Sequence, residues 1–324
     1  MRVDIYSAYF HITGIKAFNR NYNLKMAGLT YILDELDYYS VIHQTYLGYA
    51  TKSGPVGNWS EKAFAEVVVG GLSSRIMTKR PLRVLGIGSG AGDIDRKMMS
   101  KLLPMFPEVH NTIVEPSESQ LSLFKELVKE DKGDLPNVTF TWREDTVDRY
   151  VEELESNLGG SGGICERFHL IHLVHSLYYT DDLTRTLRVL HQALEEGGVL
   201  FISILPNDSV FNKLDDIQIK HGASRPRLWT DQDVTASLDS LGLPHRLDRG
   251  TWCTLSSLCF QENSQDGQHL LDFWTHTKNF RRTASKDLQE EVFACLRSPA
   301  SSKTETDGEI LFFRDWVHIT VVKE

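Results

Sequence analysis

Leu82-Arg83-Val84-Leu85-Gly86-Ile87-Gly88-Ser89-Gly90-Ala91-Gly92 is the stretch that decides the fold. Its first half is apolar and rich in strand-forming residues, and four of its last seven residues are glycine. A helix-like segment, Asp93 to Leu103, follows directly. A strand, a glycine loop and a helix together let backbone N–H groups approach a nucleotide-containing cofactor closely. The stretch therefore predicts an α/β fold with a cofactor at this loop.

The spacing of the glycines fits two cofactor classes. Gly86-x-Gly88-x-x-Ala91 matches a dinucleotide fingerprint, whereas Gly88-x-Gly90-x-Gly92 matches the loop that holds S-adenosylmethionine in methyltransferases. The loop by itself leaves the cofactor open.

Composition excludes several classes of protein. The 324 residues carry a net charge of −9 and no Lys/Arg cluster, which argues against nucleic acid as a partner. The longest apolar runs are too short to span a membrane, and the first residues show no secretory signal. Four scattered cysteines lack the spacing of a disulfide framework or a metal site. We expect a cytoplasmic, monomeric, globular protein with no metal.

Strands alternate with helices after the glycine loop. Four further strands are predicted at residues 109–115, 138–142, 168–174 and 199–205. This order predicts a parallel sheet with helices on both faces, and ligands bind such sheets at the carboxyl ends of the strands. The predicted strand-end residues are Gly88, Glu115, Thr146 with Val147, and His175.

The βα rhythm ends at Pro206. Helical segments are expected at residues 209–221, 231–241, 268–277 and 286–296, with a short strand near 244–249. Glu309–Arg314 and Trp316–Val322 are expected to form a closing antiparallel pair. These patterns predict an N-terminal extension at 1–34, a cofactor-binding domain at 35–205 plus 309–324, and a substrate-binding subdomain at 206–308.

Three observations favour S-adenosylmethionine over NAD. Glu115 lies 27 residues after Gly88, more than the about 20 expected of a dinucleotide fingerprint. Glu195-Glu196-Gly197-Gly198 resembles the glycine turn that precedes the fifth strand of class I methyltransferases. One five-strand unit with a closing antiparallel pair resembles their seven-stranded sheet. An NAD oxidoreductase is therefore disfavoured.

Longer motifs resemble one family within that fold. They are 87–95 (IGSGAGDID), 114–120 (VEPSESQ), 171–179 (IHLVHSLYY) and 272–280 (DFWTHTKNF). Together they resemble the histamine N-methyltransferase family over about residues 36–324. The resemblance implies a class I methyltransferase with a seven-stranded, mostly parallel sheet and a smaller helical substrate-binding subdomain.

The same resemblance implies a set of cofactor-binding residues. Gly88, Glu115 and Gln120 keep the residue types of the family. Val147 stands where the family has serine, although Thr146 beside it can replace the lost hydroxyl, and Val174 stands for isoleucine. Gly86 stands where other methyltransferases carry an acid. Each lost contact would weaken cofactor binding by about 1 kcal/mol if nothing compensates.

At the methyl-acceptor site, this sequence keeps aromatic residues where the family has them but differs from the family in its polar residues. The matched aromatic residues are Tyr39, Tyr46, Tyr178, Tyr179, Phe211 and Phe273, any of which can equally serve core packing. The polar changes are His175 for glutamine, Asp215 for tryptophan, His276 for glutamate and Arg314 for asparagine. The family's N-terminal glutamate has no clear counterpart, with Lys52 and Glu61 as candidates.

These residues predict an N-methyltransferase that acts on histamine or a related small imidazole or amine by in-line transfer from S-adenosylmethionine. Histidine titrates near neutral pH, so His175 is the predicted catalytic base. Arg314 suggests an acceptor that bears a carboxylate. Two alternatives stay open. In the first, Arg314 and His276 either face solvent or pair with Asp315 and Asp272. In the second, the chain only binds a cofactor or a partner and does not catalyse a reaction.

Overall fold

The computed structural model describes residues 29–32, 35–50, 60–76, 81–130, 135, 137–159, 166–223 and 228–324. Its strands are β1 (Thr30–Tyr31), β2 (Leu82–Ile87), β3 (Val109–Val114), β4 (Val138–Arg143), β5 (Phe168–Val174), β6 (Leu194–Ile204), β7 (His245–Leu255), β8 (Thr277–Lys278), β9 (Ser302–Thr304) and β10 (Ile310–Val322). Its α-helices are α1 (Leu36–Ala50), α2 (Gly70–Arg75), α3 (Asp93–Leu102), α4 (Glu118–Glu130), α5 (Val147–Gly159), α6 (Leu183–Gln192), α7 (Val210–Lys220), α8 (Asp231–Ser240), α9 (Gln265–Thr275), α10 (Phe280–Thr283) and α11 (Lys286–Arg297). A π-helical segment at Ser60–Val69 leads into α2.

A mixed sheet organises the chain. Its strands run in the order β4-β3-β2-β5-β6-β10-β7, and the short β9 pairs with β10. The pairs among β2, β3, β4, β5 and β6 are parallel, whereas β10 pairs antiparallel with β6 and β7. The predicted mostly parallel sheet of seven strands is confirmed, and β9 adds a short eighth strand at β10.

Strand β5 lies at the centre of the sheet and is buried on both faces. Ile171 and Leu173 pack into one core cluster, and Leu170 and Val174 pack into a second cluster on the opposite face. Strands that are covered on both sides read as nearly continuous apolar runs, and here His169 and His172 interrupt that run.

The C-terminal part of the sheet differs from the prediction. The expected pair Glu309–Arg314 and Trp316–Val322 is wrong, because β10 is one continuous strand. Asp315 does not interrupt it, since the Thr251 hydroxyl on β7 donates to the Asp315 carboxylate. The antiparallel partner of β10 is β7, which is longer than the short strand expected near 244–249 and joins the main sheet.

Strand β6 also begins earlier than predicted. Glu195 to Gly198 lie inside the strand rather than in a turn before it. Gly197 N–H donates to the Lys323 carbonyl and Lys323 N–H donates to the Gly198 carbonyl, at 2.8 and 2.9 Å. Gly197 has a φ of 77°, so the glycine permits an irregular backbone that still pairs.

The beginning of the described chain packs on the region after Pro206. Strand β1 pairs with β8, and Ile32 N–H donates to the His276 carbonyl at 3.0 Å. Residues 1–28 and 33–34 of the predicted extension lie outside the described residues, and the division into domains stays a prediction. Among the helices that the structure describes, none has the length and apolarity needed to cross a membrane.

Candidate active site

The glycine loop connects β2 to α3 at the carboxyl edge of the parallel strands. Gly88, Gly90 and Gly92 have φ values of 68°, 55° and 86°, a region that side-chain-bearing residues rarely adopt. A Cβ atom on Gly92 would lie 2.1 Å from the Phe124 ring. Glycine is therefore required both for the turn and for the close packing of the loop.

Glu115 follows β3 and closes the other side of this loop. Its side chain is 0% exposed. One carboxylate oxygen accepts from Gly90 N–H and the other from Ser117 N–H, both at 2.9 Å. Burial raises the pKa of Glu115 to about 8, although the two backbone donors favour its ionised form.

The other predicted cofactor residues lie along the same strand edge. Gln120 is half-buried in the first turn of α4, and Val147 is buried at the start of α5. The Thr146 hydroxyl accepts from Arg149 N–H at 3.3 Å and so caps α5. Val174 is the buried last residue of β5. The edge thus brings these residues together with Gly88 and Glu115.

His175, directly after β5, has an unusual backbone conformation. Its φ is 52°, which costs a residue with a side chain about 1 kcal/mol or more. The side chain is 2% exposed, and its Nδ1 lies 2.9 Å from the Tyr178 hydroxyl. That hydroxyl also accepts from Leu205 N–H at 2.8 Å. Tyr178 therefore holds the His175 ring against the end of β6. The side chain of Tyr179 lies outside the described residues.

Aromatic residues from three elements form one cluster near α9. Tyr46 stacks on Phe273 with ring centroids 4.0 Å apart. Tyr39 and Phe211 also contact Phe273, with centroids 6.4 and 6.0 Å away. These four residues, 39, 46, 211 and 273, are distant in sequence but lie together in the buried core, and we call them the aromatic cluster.

Arg314 borders the aromatic cluster at Tyr46. Its guanidinium carbon lies 5.2 Å from the Tyr46 ring centroid and 5.3 Å from that of Trp252. One guanidinium N–H donates to the Tyr46 hydroxyl. The side chain is 2% exposed, so the interpretation that Arg314 faces solvent is wrong.

His276 and Asp215 border the aromatic cluster on the Phe211 side. The His276 ring stacks on Phe211 with centroids 5.3 Å apart, and its Nδ1 lies 3.9 Å from the Asp215 carboxylate. His276 is buried and does not face solvent either. Asp272 instead accepts from the Tyr38 hydroxyl at 2.6 Å and from Phe280 N–H at 3.0 Å.

Comparison with known proteins identifies the family. Residues 64–258 match the sequence model of a methyltransferase domain. Histamine N-methyltransferase of Bos taurus is 33% identical over 242 residues, which cover 72% of this chain and 79% of that protein. The chain belongs to the histamine N-methyltransferase family. The same enzyme of Xenopus tropicalis is 30% identical over 92% of this chain and 99% of its own length. Carnosine N-methyltransferase 2 of Gallus gallus is 28% identical over 83% of this chain and 81% of its own length.

Family membership confirms the predicted fold, activity and cofactor. The chain is a class I, S-adenosylmethionine-dependent N-methyltransferase. The alternative of a protein without catalysis finds no support in these relatives. The residues at the strand edge fit the cofactor, because three glycines give a close backbone approach and each Glu115 oxygen keeps a second lone pair for a ribose hydroxyl.

Sequence reasoning missed a set of buried polar residues beneath the glycine loop of this family member. They are Ser89, Asp95, Asn111 and His172. His172 is one of the two histidines, with His169, that interrupt the apolar run of β5, and this buried polar residue was the available signal. Among the described residues, no group of three or more His, Cys, Asp or Glu side chains is placed to hold a metal ion.

Proposed function

We propose that the methyl acceptor is a zwitterionic imidazole compound, an imidazole dipeptide of the carnosine type. The observation that carries the proposal is the placement of charge around the aromatic cluster. A buried cation, Arg314, borders it at Tyr46, and an acid, Asp215, borders it beyond Phe211. Carnosine has an ammonium on its β-alanyl end, and its histidine end carries both the carboxylate and the imidazole side chain. The relative from Gallus gallus carries carnosine in its name.

Arg314 supplies the carboxylate-binding end of this proposal. A guanidinium presents donors in a planar fork that matches both oxygens of a carboxylate. Burial makes such a contact strong, because water competes little for either charge. Tyr46 and Trp252 flank the guanidinium and fix the direction in which it points. Histamine has no carboxylate and would leave this end unused.

Asp215 supplies the ammonium-binding end. Its side chain is 17% exposed, so it borders the cluster without being sealed inside it. His276 lies 3.9 Å away and stacks on Phe211, which places the acid next to an aromatic wall. A carboxylate with an adjacent ring face is suited to a primary ammonium group.

His175 is the catalytic base in this proposal. When its Nδ1–H donates to the Tyr178 oxygen, its Nε2 carries the lone pair that a base needs. Leu205 N–H holds the Tyr178 oxygen in place, so the ring has a fixed orientation. The left-handed backbone at His175 is the kind of local strain that occurs at functional sites.

The reaction follows from these placements. Bound S-adenosylmethionine supplies an electrophilic methyl group. The lone-pair nitrogen of the neutral imidazole is the acceptor atom, which the proposed site would hold in line with that methyl group. The methylated ring then loses the proton of its other nitrogen to His175 Nε2. Alignment of nitrogen and methyl by the aromatic cluster supplies much of the rate.

Methyl transfer to four matched acceptors tests the proposal. Carnosine carries both charges, β-alanylhistamine lacks the carboxylate, N-acetylcarnosine lacks the ammonium, and histamine lacks the β-alanyl group and the carboxylate. We expect kcat/KM to be highest for carnosine and at least about tenfold lower for the other three, as for one lost charged hydrogen bond. Histamine or β-alanylhistamine turned over as efficiently as carnosine would contradict the proposal.

A further inference from the structure

A cluster of buried polar side chains fills the space beneath the glycine loop. Gly86, in β2, has no side chain, and a Cβ atom there would lie 2.5 Å from Ser89 Oγ, 2.8 Å from Asp95 Oδ1 and 2.8 Å from His172 Cε1. The loop, α3 and β5 thus each place a polar side chain into the gap that Gly86 leaves. Only glycine at position 86 leaves room for this cluster.

Asp95 is the centre of the cluster. Its Oδ1 atom lies 3.2 Å from Ser89 Oγ, 3.3 Å from Asn111 Nδ2 and 3.2 Å from His172 Nε2. Asp95 is 1% exposed, and a buried carboxylate is tolerated only when donors surround it. The serine hydroxyl and the asparagine amide donate to the carboxylate, and the His172 ring lies directly beside it. The carboxylate therefore joins β3, β5 and the loop at one point.

The loop is held from two sides at successive residues. The Ser89 hydroxyl donates to Asp95, and the next residue, Gly90, donates its N–H to Glu115. Glu115 is the carboxylate that fits the ribose, so the position of Ser89 determines where Gly90 and the ribose contact lie. Of these two carboxylates, Glu115 already has a part in the active site described above, whereas Asp95 has none.

We propose that Asp95 is a positioning residue for the cofactor, which acts through Ser89 to hold the glycine loop in its binding conformation. His172 and Asn111 keep the Asp95 carboxylate in place. Asp95 itself contacts neither the methyl donor nor the acceptor. This role is independent of the acceptor proposed above, because it concerns the opposite side of the transferring methyl group.

Binding of S-adenosylhomocysteine by calorimetry tests the role apart from activity. Ser89→Ala removes the link to the loop and leaves Asp95 with His172 and Asn111. We expect Kd to rise about fivefold, as for one lost hydrogen bond, while the acceptor KM stays within about twofold. Ser100→Ala is the matched control, because this exposed α3 serine donates to the Lys97 carbonyl, away from the loop. Its Kd should equal that of the unmodified enzyme.

A double-mutant cycle distinguishes positioning from general support of the fold. Asp95→Asn should raise Kd in the unmodified enzyme but add little in the Ser89→Ala background, because the effect passes through the serine hydroxyl. An unchanged Kd for Ser89→Ala would overturn the proposal. So would an Asp95→Asn effect of equal size in both backgrounds. Should Asp95→Asn fail to fold, the comparison of Ser89→Ala with Ser100→Ala decides alone.

Discussion

The Arg314 guanidinium lies over the Tyr46 ring and donates to the hydroxyl of the same residue. Tyr46 also stacks on Phe273, so the cation is joined directly to the aromatic cluster. A buried arginine on aromatic faces favours anionic ligands over cationic ones wherever its guanidinium meets a ligand. This relationship sets the expected acceptor preference and the first prediction.

Arg314→Met should remove the preference for carboxylated imidazoles. We expect the KM for carnosine to rise about 10- to 100-fold, the range for a lost hydrogen bond to a charged group, while that for β-alanylhistamine changes little. Steady-state kinetics with both acceptors measure the difference. Arg297→Met is the control, since Arg297 also lies over aromatic rings, Phe260 and Phe293, but on α11. Equal losses for both acceptors would show that Arg314 supports the fold rather than the carboxylate.

Asp215→Asn should weaken acceptors that carry a free ammonium. The substitution keeps the shape of the side chain and removes its charge, so we expect the KM for carnosine to rise about tenfold and that for N-acetylcarnosine to stay nearly constant. Asp216→Asn, at the exposed neighbouring position, is the matched control for the change in net charge. If Asp216→Asn has the same effect, the long-range charge rather than a contact is responsible.

Tyr38→Phe should destabilise the protein through Asp272. This carboxylate is fully buried and accepts from the Tyr38 hydroxyl at 2.6 Å, which joins α1 to α9. Loss of that donor should lower the free energy of unfolding by about 2 kcal/mol. Tyr49→Phe breaks a bond of the same length between the same two helices, from Tyr49 to Asp266. Because that pair is exposed, we expect a change below about 0.5 kcal/mol. Denaturant titration compares the two, and equal losses would contradict the role of burial.

Cofactor affinity should depend on pH through Glu115. Burial raises the pKa of Glu115 from 4.5 to about 8, so the folded enzyme keeps a proton that the unfolded chain loses between these values. Stability from this group is therefore greatest below pH 4.5 and declines as pH rises to about 8. Ribose hydroxyls donate best to the ionised carboxylate, so the affinity for S-adenosylhomocysteine should rise as pH increases through about 8.

Calorimetry between pH 6.5 and 9 (roughly one and a half units below the Glu115 pKa to one above) measures this dependence. Glu115→Gln should bind about tenfold more weakly at the alkaline end and lose the pH dependence, because an amide does not titrate. A Glu115→Gln variant with the same pH profile as the unmodified enzyme would assign the titration to another group.

Sequence reasoning found the parts of the site that follow from local pattern. Gly88, Glu115 and His175 each lie at the end of a predicted strand or directly after it, and parallel strands bring their carboxyl ends to one edge. The pairing of β7 with β10 was missed, because it depends on residues far apart in the chain. The contact of Asp95 with His172 was missed for the same reason. The burial of Arg314 was not predicted, because arginine side chains are mostly exposed in folded proteins.

His175→Asn tests the proposed role of His175 as the catalytic base separately from acceptor binding. Asparagine tolerates the left-handed backbone at this position better than alanine, so the variant tests the side chain without adding strain. We expect kcat to fall about 10²-fold or more, the usual effect of removing an acid–base group, with the KM for the acceptor nearly unchanged.

Tyr178→Phe keeps the base but frees its ring, and should lower kcat by about tenfold, at the low end of what misplacement of a catalytic group costs. His269→Asn is the control, because this histidine lies on α9 and its ring contacts the Thr45 hydroxyl on α1 rather than the end of β5. Stopped-flow or steady-state transfer of a labelled methyl group gives these values. A His175→Asn variant with an unreduced kcat would show that the acceptor proton leaves directly to water and that His175 serves only to close the end of β5.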